Sequence, residues 1–301
     1  MRDIMMGQYY PVKSPIHRLD PRIKLLSTII YIVMLFFIPT LSSFLSRGGT
    51  FRGYVLLAGL GYLIITIFLL IVIFSSKVPL KKVLKSIKAI IFLIMFTAVL
   101  SLFFYGGQSE TTHMIFKWKF LSLSYESIVT ASAMALRLIY LVIGPSMLTF
   151  TTTPVEITDA LERLLKPLTL IKFPVHTLAM IMSIALRMIP SLMEETDKIK
   201  NAQKARCADF ESGNLIKRAK ALLPILVPLF ISAFRRAEEL ALAMDSRCYS
   251  GAKGRTRMKI LKMHIKDIFA FLFVLVVFFA VLVLRYDWFG IAGSILKLLA
   301  M

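Results

Sequence analysis

Cysteine is almost missing from this 301-residue chain: Cys207 and Cys248 are the only two. Two thiols cannot build the disulfide framework that staples small secreted domains. No Cys-x-x-Cys or His-x-x-x-His spacing turns them, with His176 or His264, into a zinc ligand set. Acid is scarce as well, with 17 Asp and Glu against 37 Lys and Arg. The long apolar runs hold essentially no carboxylate, which removes the metal and diphosphate clusters that an intramembrane prenyltransferase needs. It also removes the mid-membrane ionisable sites on which a self-sufficient channel or secondary transporter depends, and no repeated halves are visible. A Gly-x-x-x-x-Gly-Lys-Ser/Thr phosphate loop is absent, so the chain is not expected to hydrolyse ATP itself. Gly251–Ala252–Lys253–Gly254 is basic but lacks that spacing.

What the chain has in quantity is grease and positive charge. It is 57% apolar with a net charge of +20, too apolar for a solvated surface, so a membrane protein is the first reading. Stretches free of Asp, Glu, Lys and Arg run over Leu25–Ser46, Gly53–Ser76, Ala89–Ser109 and Ile268–Leu284, and Ser127–Phe150 is broken only by Arg137. About 20 apolar residues cross the hydrocarbon core, so these predict five spans. The first, behind Arg2, Lys13, Arg18, Arg22 and Lys24, has no clear cleavage site and reads as a retained anchor. Phe173–Leu186 and Ala221–Phe234 are only 14 residues long and are expected to lie along the inner interface without crossing.

Loop charges set the orientation. Five Lys or Arg precede the first span, five Lys occupy Lys77–Lys88, and 20 Lys or Arg fall in Thr151–Asp267. Only two flank each of the alternate loops, Arg47 with Arg52 and Lys117 with Lys119. The N-terminus and the long segment are expected on the cytoplasmic side and the tail after Arg285 outside. Positive-inside topology accounts for the charge without nucleic acid. The fold class is all-α: residues 1–150 give the N-terminus and four spans, 151–266 a cytoplasmic helical segment, and 267–301 the last span and tail.

Within 151–266, Thr151–Thr152–Thr153–Pro154 reads as a helix start. Glu156, Asp159 and Glu162 occupy the early turns, and Ile157, Leu161, Leu164, Leu165 and Leu168 form an apolar stripe. A second helix is expected from Pro174 to about Ala208, kinked near Pro190. A third runs from Asn214 to about Tyr249, past Pro224 and Pro228, after a turn at Asp209–Gly213. A basic loop, Ser250–Lys259, returns to the membrane. Two such helices joined by a short turn must run back past one another, crossed or antiparallel, leaving their C-termini far apart. Near those C-termini sit matching tripeptides, Ala205–Arg206–Cys207 and Ser246–Arg247–Cys248. An Arg between small neighbours can enter a groove and pair bidentately with a carboxylate. Two of them suggest docking points for a dimeric partner, although basic residues at helix C-termini also simply suit the dipole.

These residues, in this order, resemble the transmembrane T component of energy-coupling factor (ECF) transporters, the vitamin and metal-ion importers related to ABC transporters. The resemblance rests on Ser14–Pro15–Ile16–His17–Arg18–Leu19–Asp20–Pro21–Arg22–Ile23–Lys24, Thr151–Pro154 with Leu161–Leu168, and Ala185–Leu186–Arg187–Met188–Ile189–Pro190. It continues through Glu194–Glu195, Ala202–Arg206 and Ala243–Arg247. It implies that Arg206 and Arg247 dock two ABC-type ATPase subunits, and that the same helices hold a small membrane-embedded S component that binds the substrate. ATP and Mg are then expected on the ATPases, and no cofactor on this chain. The family often has Gly where Cys207 and Cys248 stand.

Three further groups stand as candidates. Arg137 is the one strong ion deep in a span, either functional or turned into protein to pair with a carbonyl. Met180 and Met182 offer an adaptable surface for different S components. Ala233, Ala237 and Ala241 make a smooth stripe for helix contact.

Overall fold

A computed structural model of the chain describes residues 9–39, 51–104, 114–118, 121–208, 210, 214–251 and 263–286. These form nine α-helices: α1 (Pro21–Phe37), α2 (Phe51–Ser76), α3 (Leu80–Lys88), α4 (Ile91–Phe104), α5 (Tyr125–Thr151), α6 (Pro154–Leu164), α7 (Val175–Ala205), α8 (Leu215–Asp245) and α9 (Ile265–Tyr286). Single 3-10 segments lie at Ile16–Arg18 and Lys166–Ile171. The chain is helical as expected, with one exception. Between α4 and α5, β1 (Met114–Trp118) pairs antiparallel with β2 (Leu121–Ser124), Trp118 opposite Leu121. The reading of a plain loop there overlooked the aromatic and alternating composition that favours strands.

By length and composition, four described helices can span a membrane: Gly53–Ser76, Tyr125–Thr151, Val175–Ala205 and Ile265–Arg285. A fifth span is available if α3 and α4, bent by 57° at their junction, count together. The total is close to expectation, but its membership differs. Helix α1 holds only 17 residues, because Ile38 turns extended before Pro39; the rest of the expected first span, 40–46, lies outside the described residues. Helix α7, whose charge-free run of 14 residues at 173–186 was expected to lie along the inner interface, passes by length and composition alone because it is continuous through Pro190 for 31 residues. The basic stretch before the third span is a short helix, α3, in which Val83 is buried and Lys81, Lys82, Lys85 and Lys88 gather the charge.

The chain divides into two compact units. One, a bundle, comprises Gln8–Thr153 with Leu261–Met301 over their described residues. Its core is Tyr31, Met34 and Leu35 of α1, Tyr54, Ala58, Ile65 and Phe68 of α2, Ile143 and Met147 of α5, and Val274 and Val281 of α9. Hydroxyls clip the helices together. Tyr31 Oη donates to the Tyr140 carbonyl (2.9 Å), Tyr62 Oη donates to the Ala133 carbonyl (3.0 Å), and Thr66 and Tyr140 share a 2.7 Å hydrogen bond. Each satisfies a polar group that lipid cannot. Gly144 is required here, since a Cβ at that position would stand 2.1 Å from the Tyr31 ring.

Where α1, α5 and α9 converge, the bundle is held by buried charge. Asp20 caps α1 by accepting the Arg22 N–H (3.0 Å). Asp267 accepts the N–H of Asp20 (3.0 Å) and that of His264 (2.7 Å), which joins the starts of α1 and α9. Lys24, also buried, donates to the carbonyls of His17 (3.2 Å) and Thr151 (3.0 Å), so the end of α5 is tied in. A buried charge is costly unless it is paired or hydrogen-bonded, and these contacts offset that cost.

The other unit, Pro154–Ile260 over its described residues, contains α6, α7 and α8. Helices α6 and α7 form a hairpin closed by Glu162 Oε1 against His176 Nδ1 at 3.0 Å. Helix α8 packs on α7 through Arg236, which reaches Ser191 and, at 2.6 Å, Glu195. Tyr249, just beyond α8, donates to the Met180 sulfur at 3.1 Å.

Candidate docking site

Helix α7 ends at Ala205 because the next residues reverse the backbone. Arg206 occupies the C-cap, at φ −90° and ψ 18°. Cys207 follows with φ +61°, in the left-handed region. The Cys207 N–H then reaches back to the Lys204 carbonyl (3.0 Å) and the Ala208 N–H to the Gln203 carbonyl (3.0 Å). This paired capping is the Schellman arrangement, which satisfies carbonyls that a helix end otherwise leaves orphaned.

Helix α8 ends the same way. Cys248 has φ +54°; its N–H donates to the Asp245 carbonyl (2.9 Å), and the Tyr249 N–H to the Met244 carbonyl (3.1 Å). Arg206 and Arg247 therefore hold equivalent positions, each the last residue before a left-handed turn. Ala205, Arg206, Cys207, Ser246, Arg247 and Cys248 are all exposed, and neither guanidinium makes an ion pair or hydrogen bond among the described residues. The negative end of each helix dipole favours the cation beside it. The small neighbours leave the fork open to a carboxylate or to carbonyls on another surface.

The pairing of α7 with α8 fixes where the two caps lie. Contacts run from Tyr249 with Met180 to Arg236 with Glu195, descending on one helix while rising on the other, so the pair is antiparallel. The Arg247 cap thus lies beside the first turns of α7, near Met180. Arg206 stands twenty-six residues further along α7, which at 1.5 Å per residue is roughly 40 Å. Such a separation suits two partner subunits, or two copies of one, better than a single groove.

The remaining candidates fall into place differently. Arg137 donates through Nη2 to the carbonyl of Ile38 (3.0 Å), the residue closing α1, so it serves the bundle as an internal cap. Met180 is half-buried against Tyr249, whereas Met182 is exposed beside a small cleft between α6 and α7. Ala233 is half-buried and Ala237 and Ala241 are exposed, so α7 does not cover that stripe. Beside it, Leu222, Leu226, Phe230 and Phe234 recur every four residues on α8 and are all exposed. The two cysteines are set apart with their caps, and His176 is engaged with Glu162, so these groups do not converge.

Comparison with known proteins gives the family of the chain. The cobalt transport protein family profile matches residues 53–260. The energy-coupling factor transporter transmembrane protein of Clostridium kluyveri is 50% identical over 96% of this chain and 99% of its own length. Its counterpart in Ruminiclostridium cellulolyticum is 49% identical over 87% of this chain and 90% of that protein, and the one in Lactococcus lactis subsp. cremoris is 40% identical over 89% and 92%. The chain belongs to this family of energy-coupling factor transmembrane proteins. It is a multi-pass membrane protein, and both capped arginines lie inside the matched region.

For this family member, the sequence singles out the two arginines but does not show why the residue after each matters. Cys207 and Cys248 sit at positive φ, the position that Gly occupies without strain. The signal was available: a helix ending at an Arg, then one small residue, is the spacing of such a cap. The knot of Asp20, Lys24, Thr151 and Asp267 was also missed as a unit, because its members are 247 positions apart at the extreme.

Proposed function

We propose that this chain is the transmembrane energy-coupling subunit of an ECF importer in the cell membrane. Its N-terminus lies on the cytoplasmic side and its C-terminus outside, which the charge asymmetry of the loops supports. Arg206 and Arg247 dock two ABC-type ATPase subunits, one at each cap. The exposed α8 face, with Ala233, Ala237 and Ala241 and the Met180–Met182 end of α7, receives a small membrane-embedded substrate-binding subunit. ATP and Mg bind the ATPases, and this chain performs no catalysis. Closure of the ATPases on ATP shifts the two caps together with α7 and α8. That movement tilts the substrate-binding subunit and releases a vitamin or metal ion inside.

The observation that carries this reading is the pair of equivalent capped arginines at opposite ends of one antiparallel helix pair. A single docking patch transmits a push; two patches at the ends of a rigid rod convert the approach of two subunits into rotation or tilt. The test is the composition of the complex purified from membranes through a tag on this chain. Two ATPase subunits and one small hydrophobic protein are expected. Recovery of this chain alone, with substrate uptake intact, would remove the reading.

A further inference from the structure

The geometry points to a binding site for one anionic phospholipid inside the bundle unit. Helices α1, α2, α5 and α9 enclose a cavity of about 1230 Å³, larger than the roughly 300–1,000 Å³ of ordinary small-ligand pockets. Its walls are apolar, with Leu69, Met147 and Val274 among them. Its floor is aromatic. Tyr31 stacks on Phe68 with centroids 5.9 Å apart, and Phe68 stacks on Phe273 at 5.8 Å. Gly144 admits the Tyr31 ring into this floor.

The open end has the opposite character. Lys13, Arg18 and Lys266 line it, all three exposed, and none has an ion pair among the described residues. Lys24 lines it from within, buried and held by the His17 and Thr151 carbonyls. Among the described residues the only carboxylate on the lining is Asp267, and both its oxygens already accept backbone N–H groups. The rim therefore presents an excess of positive charge over an apolar hollow.

Depth decides between a soluble anion and a lipid. From Ile23 at the rim to Tyr31 at the floor, α1 advances eight residues, or about 12 Å. One leaflet of hydrocarbon is about 15 Å, half of a roughly 30 Å core. A hollow of that depth with cations at its mouth matches a diacyl lipid whose phosphate meets the rim and whose chains enter from the same leaflet. This assignment stands on the bundle alone and does not depend on the proposed docking role.

Native mass spectrometry of the full-length chain tests it. The chain is stripped of lipid in detergent and then offered dioleoylphosphatidylglycerol, dioleoylphosphatidylcholine or glycerol phosphate. One phosphatidylglycerol is expected to remain bound at least tenfold better than phosphatidylcholine, and glycerol phosphate is not expected to compete. The Lys13→Gln, Arg18→Gln, Lys266→Gln triple variant alters only exposed side chains and is expected to lose phosphatidylglycerol by roughly a hundredfold. Ala270→Trp, which fills the hollow from α9, is expected to lower retention of both lipids without lowering the thermal midpoint. Equal retention of the two lipids, competition by glycerol phosphate, or undiminished retention in either variant would overturn the assignment.

Discussion

The two units of this chain treat apolar residues in opposite ways. The bundle buries a contiguous core of aromatic and aliphatic side chains across α1, α2, α5 and α9, stitched by tyrosine hydroxyls and the Asp20–Lys24–Asp267 knot. In the unit of α6, α7 and α8, only Ala160, Val175 and Ile225 are buried among the described apolar residues. Phe230 and Phe234 of α8 are instead 55% and 65% exposed. A bundle in lipid needs an apolar exterior around its core, whereas the helix pair has charged ends, almost no core and an exposed aromatic stripe.

Mutations can break this contrast. The largest stability effect is expected from Gly144→Ala, which drives the Tyr31 ring out of place and disturbs its stacking on Phe68 and its bond to Tyr140. A loss of about 1–3 kcal/mol should follow, read as a lower thermal midpoint of the purified chain. An unchanged midpoint would mean that the core is looser than its packing implies. Phe230→Ala with Phe234→Ala should leave stability within about 0.5 kcal/mol, yet reduce recovery of the small membrane subunit about tenfold, as loss of an aromatic anchor does. A large loss of stability with no loss of the partner would invert the comparison. The smallest effect belongs to the caps. Cys207→Gly and Cys248→Gly relieve a left-handed conformation and should each stabilise by about 0.5–1 kcal/mol, with the ATPases still recovered. If either were destabilising, the capping geometry would be misassigned.

Much of this was legible before any coordinates. Thr153–Pro154 announced a helix start because Pro fits the first turn and hydroxyl residues precede it; the matching start at Asp20–Pro21 was seen only in the structure. That α7 and α8 run back past one another followed from two long patterns with a short turn between them, but the choice of antiparallel over crossed needed the contacts of Tyr249 with Met180 and Arg236 with Glu195. That turn and the basic return loop lie largely outside the described residues. Span membership was harder to read. Counting charge-free residues sees only 173–186 of a helix that was itself expected from Pro174 to about Ala208, and it runs on past Pro39, where α1 has already ended. The bend between α3 and α4 leaves no local mark beyond a run of lysines. In the site, the arginines were visible as a repeat. The left-handed cysteines and the contacts that set the caps roughly 40 Å apart needed the backbone and the partner helix.

The central claim is that two equivalent caps share one attachment, and co-purification of the ATPases with charge-reversed variants tests it most directly. Arg206→Glu with Arg247→Glu should abolish recovery of the ATPases while the chain remains inserted and folded. Either single reversal should leave a weakened complex, because the second cap still tethers the partner. Full recovery of the ATPases and of transport with both arginines reversed would contradict the account.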